Sequence, residues 1–260
     1  MTTYSSDPPE KDRNFDDLSE RFSTTIYDSP RGALRLAALQ QDFNDLNLIQ
    51  PGIRILDAGG GQGQFALWLA QQGAEISLCD VSNEMLSKAK ENFAEADLPL
   101  DARLCAIQSM QSEFAKQFDG VLNHAVLEWL VDPLAAVGLL CDRVRPGGWL
   151  SLMFYNLHGH RWRQMMIGRV HAPDSASRRL RESGNSPANP LDPKDVEQAL
   201  VKAGMRIARW RGIRCLYDHM HQKIRERVSE QNLFAADLQY GLQEPYRQLG
   251  RYVHLLAFKN

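Results

Sequence analysis

Between residues 53 and 155 short apolar runs alternate with stretches whose apolar positions recur at helical spacing. The runs at 53–57, 75–80, 102–107, 120–123 and 149–155 read as buried strands. The stretches at 64–72 and 83–96, a short one near 112–117 and one beginning at Pro133 read as helices between them. Such alternation predicts a parallel sheet with crossover helices, that is, an α/β fold. Upstream, Phe15, Leu18 and Phe22 fall at helical spacing over 14–22. A loop over 24–32 follows, then a helix over 33–48 with Leu36, Leu39, Phe43 and Leu46 on one face. Downstream, Asp192-Pro193-Lys194 is a helix start and Gly204 a stop, framing a helix over 192–203. A sixth strand is predicted over 206–211, a basic helix over 217–228 and an acidic–aromatic helix ending at Gln243. Alternation around Val253, Leu255 and Ala257 predicts a seventh strand over 251–259. Residues 1–12 are polar and Pro-containing and read as a disordered tail. Helices over 13–50 would cap the site as a lid, and the polar, basic stretch 156–190 reads as an insertion after strand five. The turn predicted at Arg145-Pro146-Gly147-Gly148 leads into that strand.

The sharpest punctuation is at 53–65: an apolar run, Asp57, then Gly59, Gly60, Gly61 and Gly63. Glycines there let the backbone turn tightly and approach a ligand lying over the next helix N-terminus. A dinucleotide fingerprint counted from Gly60 does not fit, because Gln62 and Phe65 fall where glycines are required. The acid-first order Asp57-x-Gly59-x-Gly61-x-Gly63 resembles motif I of the class I S-adenosylmethionine (SAM) methyltransferases. That resemblance implies a seven-stranded, Rossmann-like sheet and SAM as cofactor. In such a site Asp80, closing the second strand, accepts the ribose hydroxyls. Gly59, Gly60 and Gly61 form the loop beside the methionine moiety, and Asp57 meets the ammonium directly or through water. Ile107 and Gln108 fall on the adenine side, where the Gln108 amide oxygen can accept from the exocyclic amine. His124, after strand four, is either a cofactor contact or a satisfied core residue.

Composition is that of a globular protein: 43% hydrophobic and 24% charged over 260 residues, sized for one domain over 13–260. No run approaches the ~18 apolar residues of a membrane span. The N-terminus shows no apolar signal core, so a cytoplasmic protein is expected. Cys79, Cys105, Cys141 and Cys215 are scattered and read as reduced core thiols, with no metal site. Charge matters through its distribution. Residues 158–227 hold fifteen Lys and Arg against seven Asp and Glu, +8 within a chain of net charge −2. That asymmetry points to a polyanionic partner.

Asp12-Arg13-Asn14-Phe15-Asp16-Asp17, Cys79-Asp80, His124-Ala125-Val126-Leu127-Glu128-Trp129, Gln243-Glu244-Pro245-Tyr246 and Leu249-Gly250-Arg251-Tyr252 narrow the resemblance. From about residue 12 to the end the chain resembles the bacterial tRNA 5-carboxymethoxyuridine methyltransferase family. The resemblance implies methyl transfer from SAM to the carboxylate of 5-carboxymethoxyuridine at the tRNA wobble position, with the anticodon stem-loop as partner. It carries SAM contacts onto Arg35, Gly59, Gly60, Asp80, Ile107, Gln108 and His124. Arg35 enters only this way, as a planar fork for the methionine carboxylate.

A carboxylate nucleophile of pKa about 4 is ionised at neutral pH, so no general base is expected. Orientation is the remaining task, and Tyr155, Arg214 and Arg251 are the first candidates to hold the substrate carboxylate, ahead of Asn156, His158, Arg161 and Tyr252. Trp162, Tyr217 and His219 are candidates to stack on an anticodon base. Two rival readings are a methyltransferase for a small carboxylate or alcohol and a SAM-binding protein without turnover. The first offers no account of the +8 segment, and the second predicts cofactor binding with no turnover on any RNA.

Overall fold

The computed structural model describes residues 29–171 and 189–260. The tail over 1–12, the helix over 14–22 and residues 172–188 of the insertion lie outside the described residues. Strands β1 (Arg54–Ala58), β2 (Glu75–Asp80), β3 (Asp101–Leu104), β4 (Phe118–His124), β5 (Val144–Tyr155), β6 (Met205–Ile213) and β7 (Tyr252–Lys259) form one sheet. Its order is β3-β2-β1-β4-β5-β7-β6, with β7 antiparallel to both neighbours and the first five strands parallel. After β1 the chain runs outward to β3, then returns to the other side of β1 as β4. The crevice at such a reversal, beyond the carboxyl ends of β1 and β4, is where α/β sheets bind ligands.

Helices cover both faces of the sheet. One layer holds α5 (Pro133–Arg143) and α7 (Pro193–Lys202), whose Val137, Leu140, Val196 and Leu200 pack with Leu56 and Leu255. The other holds α1 (Pro30–Asp45), α2 (Gln64–Gln71) and α3 (Asn83–Glu95), packing Phe43, Leu69 and Phe93 with Ile55 and Leu256. Neighbours such as Ile55 and Leu56 go to opposite layers because side chains alternate along a strand. Both faces being covered, the strands read as apolar runs. Phe43 anchors α1 by edge-on contacts with Phe65 and Trp149 at 5.0 and 5.1 Å. Asp192 caps α7 as predicted, accepting from the Lys194 amide.

Several boundaries move for local reasons. The first described helix starts at Pro30 rather than Ala33, because Ser29 caps it and Pro30 suits its first position. β3 stops at Leu104, where its partner β2 runs out at Asp80; Ile107–Ser109 turns as a 3-10 helix into α4 (Met110–Glu113). The turn expected at 145–148 lies inside β5, with Gly147 in the left-handed region and a register shift opposite Phe118 and Gly120. The insertion opens with a helix, α6 (Leu157–Met166), capped by Asn156. The largest correction is at 217–228, where only α8 (Gln222–Arg225) is helical. The buried carboxylate of Asp237 in α9 (Glu230–Tyr240) accepts the amides of Cys215, Leu216 and Tyr217 at 2.9–3.1 Å. Those bonds and the left-handed Arg214 hold this stretch in a turn. All four cysteines are free and buried. No helix among the described residues is long and apolar enough to cross a membrane.

Candidate active site

The glycine loop is stitched to the end of β2. Gly59 and Gly60 donate to the Cys79 carbonyl at 2.7 and 3.2 Å. The Asp80 carboxylate accepts the amides of Gly61 and Ser82, both at 2.9 Å. Asp80 therefore fixes the loop while remaining on the cavity wall, since each carboxylate oxygen has lone pairs to spare. A Cβ on Gly59 would sit 2.7 Å from Val126 Cγ2, and one on Gly60 would sit 2.7 Å from Asp57 and Leu78. Only bare backbone fits here.

One cavity opens above this loop. Its wall includes Arg35, Asp57, Gly59, Gly60, Gly61, Asp80, Ile107, Gln108 and His124, so the structure brings all nine predicted cofactor residues together. Leu36, Leu39 and Phe65 add apolar wall. Burial, with the Asp80 charge adding to it, raises the Asp57 carboxyl pKa to about 7. A cationic ligand group beside this buried carboxylate would favour its ionised form. Burial pushes His124 well below the usual imidazole range, so its ring is neutral. Two carboxylates, a fork-shaped cation, a bare backbone loop and apolar walls fit a ligand carrying an ammonium, a carboxylate, a diol and a flat base.

A second cavity lies alongside, because Arg31 lines it one helical turn before Arg35 on α1. Arg163, Arg169, Arg214 and Arg251 complete a wall of five guanidinium groups, with Asp218 as the only carboxylate lining it among the described residues. Asp218 is buried; burial raises its pKa, but Arg214, Arg251 and Arg31 outweigh this and keep it ionised. It pairs with Arg214 and lies 3.3 Å from Arg31 Nε. The Nε atoms of Arg214 and Arg251 are buried without a hydrogen-bond partner. Such a concentration of donors calls for an anion.

Three comparisons with known proteins bear on these cavities. A methyltransferase domain model matches residues 56–152, the segment from β1 through most of β5. The tRNA 5-carboxymethoxyuridine methyltransferase of Escherichia coli (strain K12) is 40% identical over 255 residues, covering 96% of this chain and 97% of that protein. The chain belongs to the tRNA 5-carboxymethoxyuridine methyltransferase family. It is a SAM-dependent methyltransferase. The fold is shared with magnesium protoporphyrin IX methyltransferase from Synechocystis PCC 6803 with bound SAH, at TM-score 0.62, 16% identity and 95% and 96% coverage of the two chains. The same protein with bound SAM gives a TM-score of 0.60, again at 16% identity, over 95% and 93% of the chains.

Within this family member the three candidates for holding the substrate carboxylate separate. Arg214 and Arg251 line the arginine cavity, whereas Tyr155 stands behind it. The Tyr155 hydroxyl is 2.8 Å from His160 Nδ1, and the Arg251 guanidinium lies over its ring at 4.6 Å. Burial raises the Tyr155 pKa, so it stays a phenol. Asn156 is occupied by the carbonyls of Gln248 and Gly250 and by the His158 amide. Of the stacking candidates, Trp162 is 37% exposed. Arg225 covers the Tyr217 ring at 4.5 Å, and His219 Nε2 is tied to the Leu249 carbonyl at 2.8 Å. Sequence reasoning passed over Arg31, Arg163, Arg169 and Asp218. The one local signal was the spacing of Arg31 and Arg35, which puts both on one helix face. No group of metal-ligating side chains is found among the described residues.

Proposed function

We propose that the enzyme transfers a methyl group from SAM to the carboxylate of 5-carboxymethoxyuridine at the wobble position of tRNA, forming the methyl ester. The observation that carries this reading is the pair of adjoining cavities along α1, one suited to a cation and the other to an anion. In this reading Asp57 holds the SAM ammonium, Arg35 its carboxylate and Asp80 its ribose, with Ile107 and Gln108 at the adenine. SAM supplies an electrophilic methyl on a sulfonium. The substrate oxygen is already ionised, so the chain need not remove a proton. Arg251 and Arg214 attract and orient the anion, and Tyr155 holds Arg251 from behind through ring contact. Their task is alignment, which in water would cost much of the barrier. Arg31, Arg163 and Arg169 extend the positive wall toward the phosphates of the anticodon stem-loop, and the enzyme works in the cytoplasm where tRNA is modified.

The test uses tRNA from cells lacking this gene. After incubation with the protein and SAM, digestion and mass spectrometry should show wobble 5-carboxymethoxyuridine gaining one methyl. No gain on tRNA, with methylation of small free carboxylates instead, would overturn the reading.

A further inference from the structure

His124 meets the cofactor cavity on one side and a buried polar chain on the other. Its Nε2 is 2.8 Å from Ser151 Oγ; Ser151 Oγ is 2.8 Å from His254 Nε2; His254 Nδ1 is 2.8 Å from Asp42 Oδ2. Ser151, His254 and Asp42 are fully buried. Asp42 also accepts from Arg211 Nε at 2.9 Å and lies 3.3 Å from Arg209 Nε.

Proton positions follow from the far end. Burial works to raise the Asp42 pKa, but His254 and Arg211 outweigh it and hold the carboxyl below its usual value. An ionised carboxylate has no proton to give, so His254 donates from Nδ1. Arg211 and Arg209 already place two positive charges beside Asp42, and Asp45, 3.3 Å from Arg209 Nη2, is the second carboxylate that balances them. A third buried cation, on His254, would be uncompensated and costly. A His254 that donates only from Nδ1 keeps its lone pair on Nε2, and Ser151 donates to it. The Ser151 oxygen then accepts from His124 Nε2–H, which leaves the lone pair of the neutral His124 ring on Nδ1.

We propose that Asp42, His254 and Ser151 are positioning residues that lock His124 in its Nε2–H tautomer. Nδ1 thereby presents a fixed acceptor to a donor of bound SAM, its ammonium or a ribose hydroxyl. The opposite tautomer would set N–H against N–H or O–H. The inference rests on reading this cavity as the SAM site.

Long-range ¹H–¹⁵N correlation spectra of histidine-labelled protein test it, without SAM and at saturation confirmed by calorimetry. The expected result is a protonated Nε2 and bare Nδ1 on His124 in both states, with the Nδ1 signal moving when SAM binds. A proton on His124 Nδ1, or a doubly protonated His254, overturns the relay. A bare Nδ1 that ignores bound SAM overturns the cofactor contact, and the apo spectrum distinguishes the two failures. Ser151→Ala should mix the tautomers and weaken SAM binding about five- to tenfold, with its thermal transition retained. Unchanged affinity in that variant also overturns the proposal. If it fails to fold, the wild-type spectra decide.

Discussion

The two cavities share one wall, α1, and differ in almost everything else. The cofactor cavity is built from backbone: a strand end, a loop without side chains and a helix start within a dozen residues, joined by short bonds to the next strand. The arginine cavity is built from side chains that arrive from α1, from α6 and the residues after it, from the turn after β6 and from the residue just before β7. Their charge balance is opposite as well, with Asp57 and Asp80 against the single Arg35 in the first and five arginines around Asp218 in the second. A cationic methyl donor and an anionic acceptor are thus sorted by electrostatics before any fine contact forms.

If the first cavity is backbone-built, a side chain in its loop should be the most damaging change. Gly59→Val would force a left-handed residue and a Cβ 2.7 Å from Val126. The expected loss is about 2–4 kcal/mol of stability, from strain plus overpacking. SAM affinity should fall roughly 100-fold, the latter from about 3 kcal/mol of lost binding. Thermal unfolding and calorimetry measure both, and near-normal SAM binding would refute the close-approach argument.

Separate cavities should fail separately. Arg251→Ala is expected to lower kcat/KM for tRNA about 100-fold while the Kd for SAM stays within twofold. Arg251→Lys should recover little, since an ammonium lacks the planar fork. Equal loss of SAM binding would mean that the cavities form one site.

Asp57 makes the first cavity pH-sensitive. Its folded pKa of about 7 lies above the unfolded value near 3.9, so the folded protein binds more protons in between. Stability without SAM should fall as pH rises from about 4 to 7 and level off above that. A cationic ligand favours the ionised form, so SAM affinity should rise between pH 6 and pH 8. Glu128, also raised to about 7 by burial, adds to the stability slope. Asp57→Asn should therefore flatten the affinity profile while leaving part of the stability slope. An affinity profile unchanged by that substitution would exclude Asp57 as the ammonium partner.

The smallest effect expected is on salt dependence. Arg169→Ala should reduce the slope of log affinity for tRNA against log salt by about one, with SAM binding unchanged. An unaltered slope would place Arg169 away from phosphate.

Local signals accounted for most of the sheet and for the glycine loop, whereas Arg35 entered only through the family resemblance. Helix and strand periods, the Asp192 and Pro193 start and the acid-first glycine spacing each act within a few residues, where backbone preference dominates. They failed at 217–228, because the Asp237 carboxylate, twenty or more residues away, pins the amides of Cys215, Leu216 and Tyr217 in a turn. They were also silent about Tyr155, whose place behind Arg251 depends on pairing between β5 and β7.

By itself, then, the sequence determined an α/β sheet with a SAM-type loop and a basic second half. The tertiary structure decided which charges meet. The antiparallel insertion of β7 between β5 and β6 sets His254 beside Met153 and Arg211. The same pairing brings Arg211 to Asp42, 169 residues away in the chain. Such meetings depend on strand order and register, which no short window of residues encodes, and on burial, which leaves an unpaired charge nowhere else to go.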